Sequence, residues 1–135
     1  MDDIFVARVM SSAVQTVAPD TLVEDAANTM LDNGIGSVVV VDDENQLEGI
    51  LTTTDFVRIV AERQPKDQTP VSEYMTTDIV TTTAQDSIRD AADVIVERGF
   101  HHLPVVDEDE GVIGMVTTSD LAGYISRVKS PSPDE

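Results

Sequence analysis

The chain has 135 residues and a formal charge of −18, from 8 basic and 26 acidic side chains, a balance that repels phosphate backbones and anionic bilayers and so excludes nucleic acid and membrane surfaces as partners. Apolar residues make up 41% and gather in runs such as Val38-Val39-Val40-Val41, which suits one compact domain or two small ones sharing a core and excludes a disordered chain. No run approaches the roughly 18 apolar residues that span a bilayer, Met1-Asp2-Asp3 lacks the basic start of a signal peptide, and the lack of cysteine removes disulfides, thiolate chemistry and Cys-ligated metals; a cytoplasmic protein is expected.

In chain order, a short β segment is predicted at Val14–Val17. A helix follows, with Thr21 as N-cap, Glu24 completing a capping box and Gly34 as the stop; Leu22, Val23, Ala26, Ala27 and Met30 give it one apolar face. A strand at Ser37–Val41, an acidic turn at Asp42-Asp43-Glu44-Asn45 and a strand at Leu47–Thr52 form a hairpin. A second helix starts near Thr53 and carries Phe56, Ile59 and Val60. Residues 65–70 read as a linker. The pattern then recurs: a β segment at Ile79–Thr81, a helix with Ser87, Asp90 and Gly99 in the capping roles, strands at His102–Val106 and Val112–Thr117 around Asp107-Glu108-Asp109-Glu110, and a helix from near Thr118 carrying Leu121, Tyr124 and Ile125.

The recurrence is a true repeat. Shifted by 65 residues, the chain matches itself without a gap, with identities that include Val6/Val71, Met10/Met75, Thr16/Thr81, Gly34/Gly99, Val40/Val105, Gly49/Gly114, Thr52/Thr117 and Asp55/Asp120. The repeats run over 6–64 and 71–129, leaving a tail at 130–135 that is expected to be disordered. Units of about 60 residues rarely bury enough surface alone, so the two are expected to share a core.

Each hairpin ends in Gly-x-x-Thr-x-x-Asp, Gly49 to Asp55 and Gly114 to Asp120, which places hydroxyls and then a carboxylate at a helix N-terminus. Two readings fit. Thr-x-x-Asp is a capping box. Equally, free N–H groups and hydroxyls suit phosphate oxygens, and a carboxylate can accept both hydroxyls of a ribose.

The stretches VMSSAVQTVAPDTLVEDAANTM, SVVVVDDENQLEGILTTTD, YMTTDIVTTTAQDSIRDAADVI and HHLPVVDEDEGVIGMVTTSD, in this order and duplicated, resemble a tandem pair of cystathionine-β-synthase (CBS) domains across nearly the whole chain. The resemblance implies an α/β fold of two β-α-β-β-α repeats packed by their sheets into a pseudo-twofold module. It also implies clefts that hold an adenosine-containing ligand: AMP, ADP, ATP or S-adenosylmethionine. By position, one cleft would combine Ser37, Ile50, Thr52, Thr54 and Asp55 with Met75, Thr76, Ile79 and Thr81; the other would combine His102, Met115, Thr117, Ser119 and Asp120 with Met10, Ser11, Val14 and Thr16. In this family the aspartate holds the ribose and the Thr/Ser positions face phosphates. The family's Pro-containing strand is kept as Leu103-Pro104-Val105 but reads Val38-Val39-Val40 in the first repeat. Basic residues near the clefts are few: Arg58, whose counterpart is Gly123, with Arg8 and Arg127 for the second. A triphosphate would therefore call for Mg²⁺. The resemblance implies a regulatory module and no enzyme, signalling to an unknown protein partner, as a homodimer through the second helices near Phe56, Val60, Leu121 and Tyr124. The alternatives are an interaction module that binds no nucleotide, or a Mg²⁺ sensor using the acidic turns.

Other patterns carry less. His101 and His102 point to opposite faces of a strand, which disfavours one shared metal; neighbouring acids are expected to favour protonation of a cleft histidine. Gly34-Ile35-Gly36 follows a helix and precedes a strand, the reverse of a dinucleotide-binding turn. The acidic turns lack EF-hand spacing. No nucleophile with an adjacent base is evident. Aspartate (17) exceeds glutamate (9), lysine is limited to Lys66 and Lys129, and acid is spread along the chain, a composition expected of a protein from a halophilic archaeon, where molar salt shortens the Debye length to about 3 Å.

Overall fold

The structure, a computed structural model, describes residues 4–129, with side chains for residues 4–126; the expected tail at 130–135 lies outside the described residues. The elements are α1 (Val6–Val9), β1 (Thr16–Val17), α2 (Val23–Asn33), β2 (Ser37–Val41), β3 (Leu47–Thr52), α3 (Thr53–Ala61), a 3₁₀ turn (Val71–Glu73), α4 (Ile88–Arg98), β4 (His102–Asp107), β5 (Gly111–Thr117) and α5 (Thr118–Lys129). The described residues form two compact units that do not coincide with the repeats: Ala13–Ile79 with Glu108–Val112, and 4–12 with Val80–Asp107 and 113–129. Each repeat's opening segment thus belongs to the other repeat's unit.

In the first-repeat unit the strand order is β1-β2-β3, with β1 parallel and β2 antiparallel to its neighbour. Val38, Val39 and Val40 of β2 are all fully buried, which is why this strand reads as an unbroken apolar run rather than an alternation. Its core joins Val23, Ala26 and Met30 of α2 to Val38, Val40, Leu51 and Ile59, and takes in Val71 and Tyr74 from the second repeat's opening segment. In the second-repeat unit Val6 of α1 enters the core of Ile88, Ala91, Ile95, Leu103, Val105, Val116 and Leu121. The helical turns α1 and Val71–Glu73 are repeat equivalents that the sequence reading did not separate from the segments around them.

Three expectations are corrected. Thr21 is not the N-cap of α2: Leu22 is, with no side-chain cap bond, while the Thr21 hydroxyl accepts from the Ala18 N–H at 3.1 Å. The backbone supplies the cap instead, since the Val23 and Glu24 N–H groups donate to the Thr69 and Lys66 carbonyls at 2.9 and 3.2 Å. Ser87, at the position of Leu22, does cap α4 and accepts from the Asp90 N–H at 3.1 Å. Gly34 and Gly99 end their helices in left-handed conformations, as their spacing implied.

The second correction concerns the opening β segments. The first shrinks to Thr16–Val17, and Ile79–Thr81 forms no strand, leaving one parallel bridge at Thr82–Val105. Proline is the reason. The Val39 N–H donates to Gln15 O at 3.2 Å, and the equivalent position, Pro104, has no N–H to give. The third concerns the apolar surface of the second helices. Leu121 lies in the core, and Phe56 and Tyr124 pack against their cores; Val57, Val60 and Ile125 are the exposed ones.

The two hairpin turns also differ. Asn45 adopts a left-handed φ of 64°, and its side-chain amide donates to the carbonyls of Glu110 and Val112, both at 2.8 Å. The Val112 N–H returns a bond to Asn45 O at 3.0 Å. Gly111, with φ 79°, sits so close that a Cβ there would stand 2.0 Å from Asn45 O. Asp42 uses Oδ1 to accept the N–H groups of Glu44 and Gln46 at 2.8 and 2.9 Å, so it shapes the acidic turn.

Candidate functional site

Each Gly-x-x-Thr-x-x-Asp motif runs off a strand into a helix, and the opening segment of the other repeat crosses it. In the first-repeat unit, Ile50 and Thr76 exchange backbone bonds of 3.0 and 2.8 Å. In the second, Ser11 and Met115 do the same at 2.8 and 2.9 Å. The glycines make the crossing possible. A Cβ on Gly49 would lie 2.6 Å from Met75 Sδ, and one on Gly114 would lie 2.6 Å from Met10 Sδ and 3.0 Å from Ser11 O. The repeated Gly and Met are therefore contact partners, and their paired identity in the sequence was the signal for it.

Both motifs form capping boxes. The Thr117 N–H donates to Asp120 Oδ2 at 2.9 Å, and the Asp120 N–H donates to Thr117 Oγ1 at 3.1 Å. The Thr52 N–H donates to Asp55 Oδ2 at 2.8 Å within the same reciprocal arrangement. Thr52 and Thr117 are thus engaged in capping. The hydroxyls left at the surface are Thr53 and Thr54 on α3, and Thr118 and Ser119 on α5, in the first turn of each helix.

The surroundings of the two aspartates differ. Asp55 is 3% exposed, and the Arg58 Nη1 donates to its Oδ1 at 3.1 Å. The same guanidinium lies 5.5 Å over the Tyr74 ring, and the Tyr74 hydroxyl donates to Glu62 Oε1 at 2.5 Å. That bond to Glu62, with burial and the Glu62 charge behind it, holds the phenol pKa above its ordinary value. Asp120 is half-buried, and Gly123 and Val9 stand at the positions of Arg58 and Tyr74. Arg58, considered from the sequence for phosphate, is turned onto Asp55, and Tyr74 was not among the residues singled out.

The other predicted residues fall as follows. Ser37 is buried at the start of β2, directly opposite Thr52. Ile50 is buried, Met75 and Ile79 are half-buried, and all share the unit of Asp55. Thr81 belongs to the other unit, exposed. Met10, Ser11, Met115, Thr117, Ser119, Asp120 and His102 share the second-repeat unit, whereas Val14 and Thr16 belong to the first-repeat unit, where Thr16 pairs with Val39. His101 Nδ1 lies 3.3 Å from Thr118 Oγ1, and its carbonyl accepts the Thr118 N–H at 3.1 Å. His102 departs from the expected direction: burial, and then the neighbouring His101, push its pKa down and favour the neutral ring.

The fold and the two crossed motifs define a duplicated α/β module with a strand-to-helix carboxylate and hydroxyl set in each unit. The family model for the CBS domain matches residues 6–62 and 71–127, and the chain belongs to that family as a tandem pair. An uncharacterized 17.7 kDa protein of Acidianus ambivalens is 33% identical over 117 residues, which cover 87% of this chain and 70% of that one. A homoserine O-acetyltransferase of Methanosalsum zhilinae is 32% identical over 121 residues, 90% of this chain but 24% of the enzyme. Among solved structures, the CBS domain pair of protein MJ0100 in complex with 5′-methylthioadenosine and S-adenosyl-L-methionine superposes with a TM-score of 0.84 at 23% identity, covering 93% of this chain and 98% of that one. CBSX2 in complex with AMP gives a TM-score of 0.83 at 24% identity, with the same coverage. These two likenesses concern the fold.

Proposed function

We propose that this protein is a regulatory module that binds an adenosine-containing ligand, AMP, ADP, ATP or S-adenosylmethionine, and passes the occupancy to a protein partner without catalysing a reaction. The observation that carries this reading is the set around Asp120. A half-buried carboxylate closes the strand-to-helix turn, exposed hydroxyls of Thr118 and Ser119 stand in the first helical turn, and Ser11 and Met10 cross the strand before it. A carboxylate there suits vicinal ribose hydroxyls, and N–H groups with hydroxyls suit phosphate oxygens. The MJ0100 pair and CBSX2, which share the fold, are complexes with adenosine compounds, and this supports the ligand class. The test is calorimetry with AMP, ADP, ATP with and without Mg²⁺, and S-adenosylmethionine in about 2 M KCl, where surface charge is screened. A ligand at 100 times its Kd stabilises the fold by about 2.7 kcal/mol, a clear rise in Tm. No shift and no heat with any of them would overturn the reading.

A second reading is favoured by Val57, Val60 and Ile125, which are 67%, 77% and 44% exposed on α3 and α5. These apolar side chains suit a homodimer through the second helices, and light scattering in molar salt reads its mass directly.

A further inference from the structure

The two motif aspartates are equivalent in sequence and unequal in chemistry. Asp55 is almost wholly buried, with Oδ2 held by the Thr52 N–H at 2.8 Å and Oδ1 by Arg58 at 3.1 Å. Arg58 is half-exposed and is held from two sides, by Asp55 and by Tyr74. Its guanidinium rests on the Tyr74 ring, and Tyr74 is anchored by its core packing and by its bond to Glu62. A ribose arriving at Asp55 would have to displace the ion pair with Arg58, and its hydroxyls, though they also make charge-assisted bonds to a carboxylate, bring no positive charge in return. It would also leave a buried carboxylate without its counter-charge, a costly state. Among the described residues Asp120 has no counterpart of this ion pair, because Gly123 has no side chain to reach back and Val9 has no ring to seat one.

Resting on the adenosyl-ligand reading, we infer that Arg58 is an internal plug: its guanidinium occupies the carboxylate that a ribose would take in the first-repeat unit, so that the chain carries one open adenosyl site, at Asp120, and one that its own side chain holds shut. Arg58 is a specificity-determining residue here, and Tyr74 with Glu62 are the positioning residues behind it.

The experiment is calorimetric titration of AMP, and separately of S-adenosylmethionine, into the full chain and its variants in molar KCl. The wild type is expected to bind one equivalent per chain. D120N should weaken that binding at least tenfold. R58A should add a second equivalent, which the double variant R58A/D55N loses again. Circular dichroism checks the fold of each. If R58A unfolds, R58M keeps the stem over Tyr74 and a good helix former while removing the charge. Two equal sites in the wild type, a single site kept in D120N, or no second equivalent in a folded R58A would overturn the plug while leaving the adenosyl reading intact. No binding by the wild type or by R58A would overturn that reading, and the plug with it.

Discussion

Asp55 and Asp120 close copies of the same seven-residue motif, cap equivalent helices and follow strands crossed by equivalent segments, yet their surroundings have parted. Around Asp55 the chain has built an ion pair, a guanidinium over a ring and a phenol–carboxylate bond. Around Asp120 those positions hold Gly123 and Val9. Duplication kept what the backbone needs, the glycine, the cap and the crossing, and released the side chains beyond it. A motif match therefore locates the turn, while the residue one helical turn further on decides what the carboxylate can still accept.

The hairpin turns diverge as well, and the largest effect is expected there. Gly111 stands where the first repeat has Gln46, and a side chain at Gly111 would meet both a left-handed φ and the Asn45 carbonyl. G111A should lose about 3 kcal/mol, read as a fall in the urea midpoint. A change under about 0.5 kcal/mol, the range of a surface substitution, would mean that the Asn45 contact is not held in solution.

Next come the crossing glycines. Gly114 faces a sulfur and a backbone carbonyl, whereas Gly49 faces only the Met75 side chain, which can move. G114A is expected to cost more than G49A within the range of about 1–3 kcal/mol, and equal losses would erase the distinction. A smaller contrast lies in the first helix of each repeat. S87A should lose about 1 kcal/mol because it removes a side-chain cap. T21A, which leaves the backbone cap of α2 in place, should lose less, measured on the same unfolding curves.

The smallest expected effect is one of pH. His102 stands where the first repeat has Ser37. Its folded pKa lies below the ordinary 6.5, so its contribution to stability is present above pH 6.5 and is lost as pH falls through the lowered folded value. The difference in Tm between wild type and H102S should therefore move against the wild type as pH falls from 6.5 through that value. A difference that stays flat down to pH 5 would place His102 in solvent.

The element order was legible because an internal match at a fixed offset doubles every signal, and Gly34 and Gly99 marked their helix ends twice. The misread Thr21 shows the limit. Aligned by the offset, Thr21 matches Asp86 and Leu22 matches Ser87, so the internal register already argued for Leu22; what it did not show is that carbonyls of the linker, distant in sequence, would do the capping. Pro104 is visible in the sequence as a family feature, and its missing N–H accounts for the lost strand beside it. In the candidate site, the motif residues were legible from their pattern. Tyr74 was not, because its partners, Arg58 and Glu62, are brought to it only by the folded segment 71–76.

The exchange of opening segments imposes an order on the chain as it is made. Residues 71–79 emerge soon after β3 and can dock on it at once. Residues 4–12 wait for the second repeat: the Val6 and Ala7 N–H groups donate to the Asp86 and Ala84 carbonyls, and Ser11 pairs with Met115 only when β5 appears. The second-repeat unit is therefore completed late, by joining the two ends of the chain, the kind of distant contact that slows folding. The same wiring means that a gene divided at residues 65–70 yields two fragments, each carrying the other's opening segment, and neither encodes a whole unit.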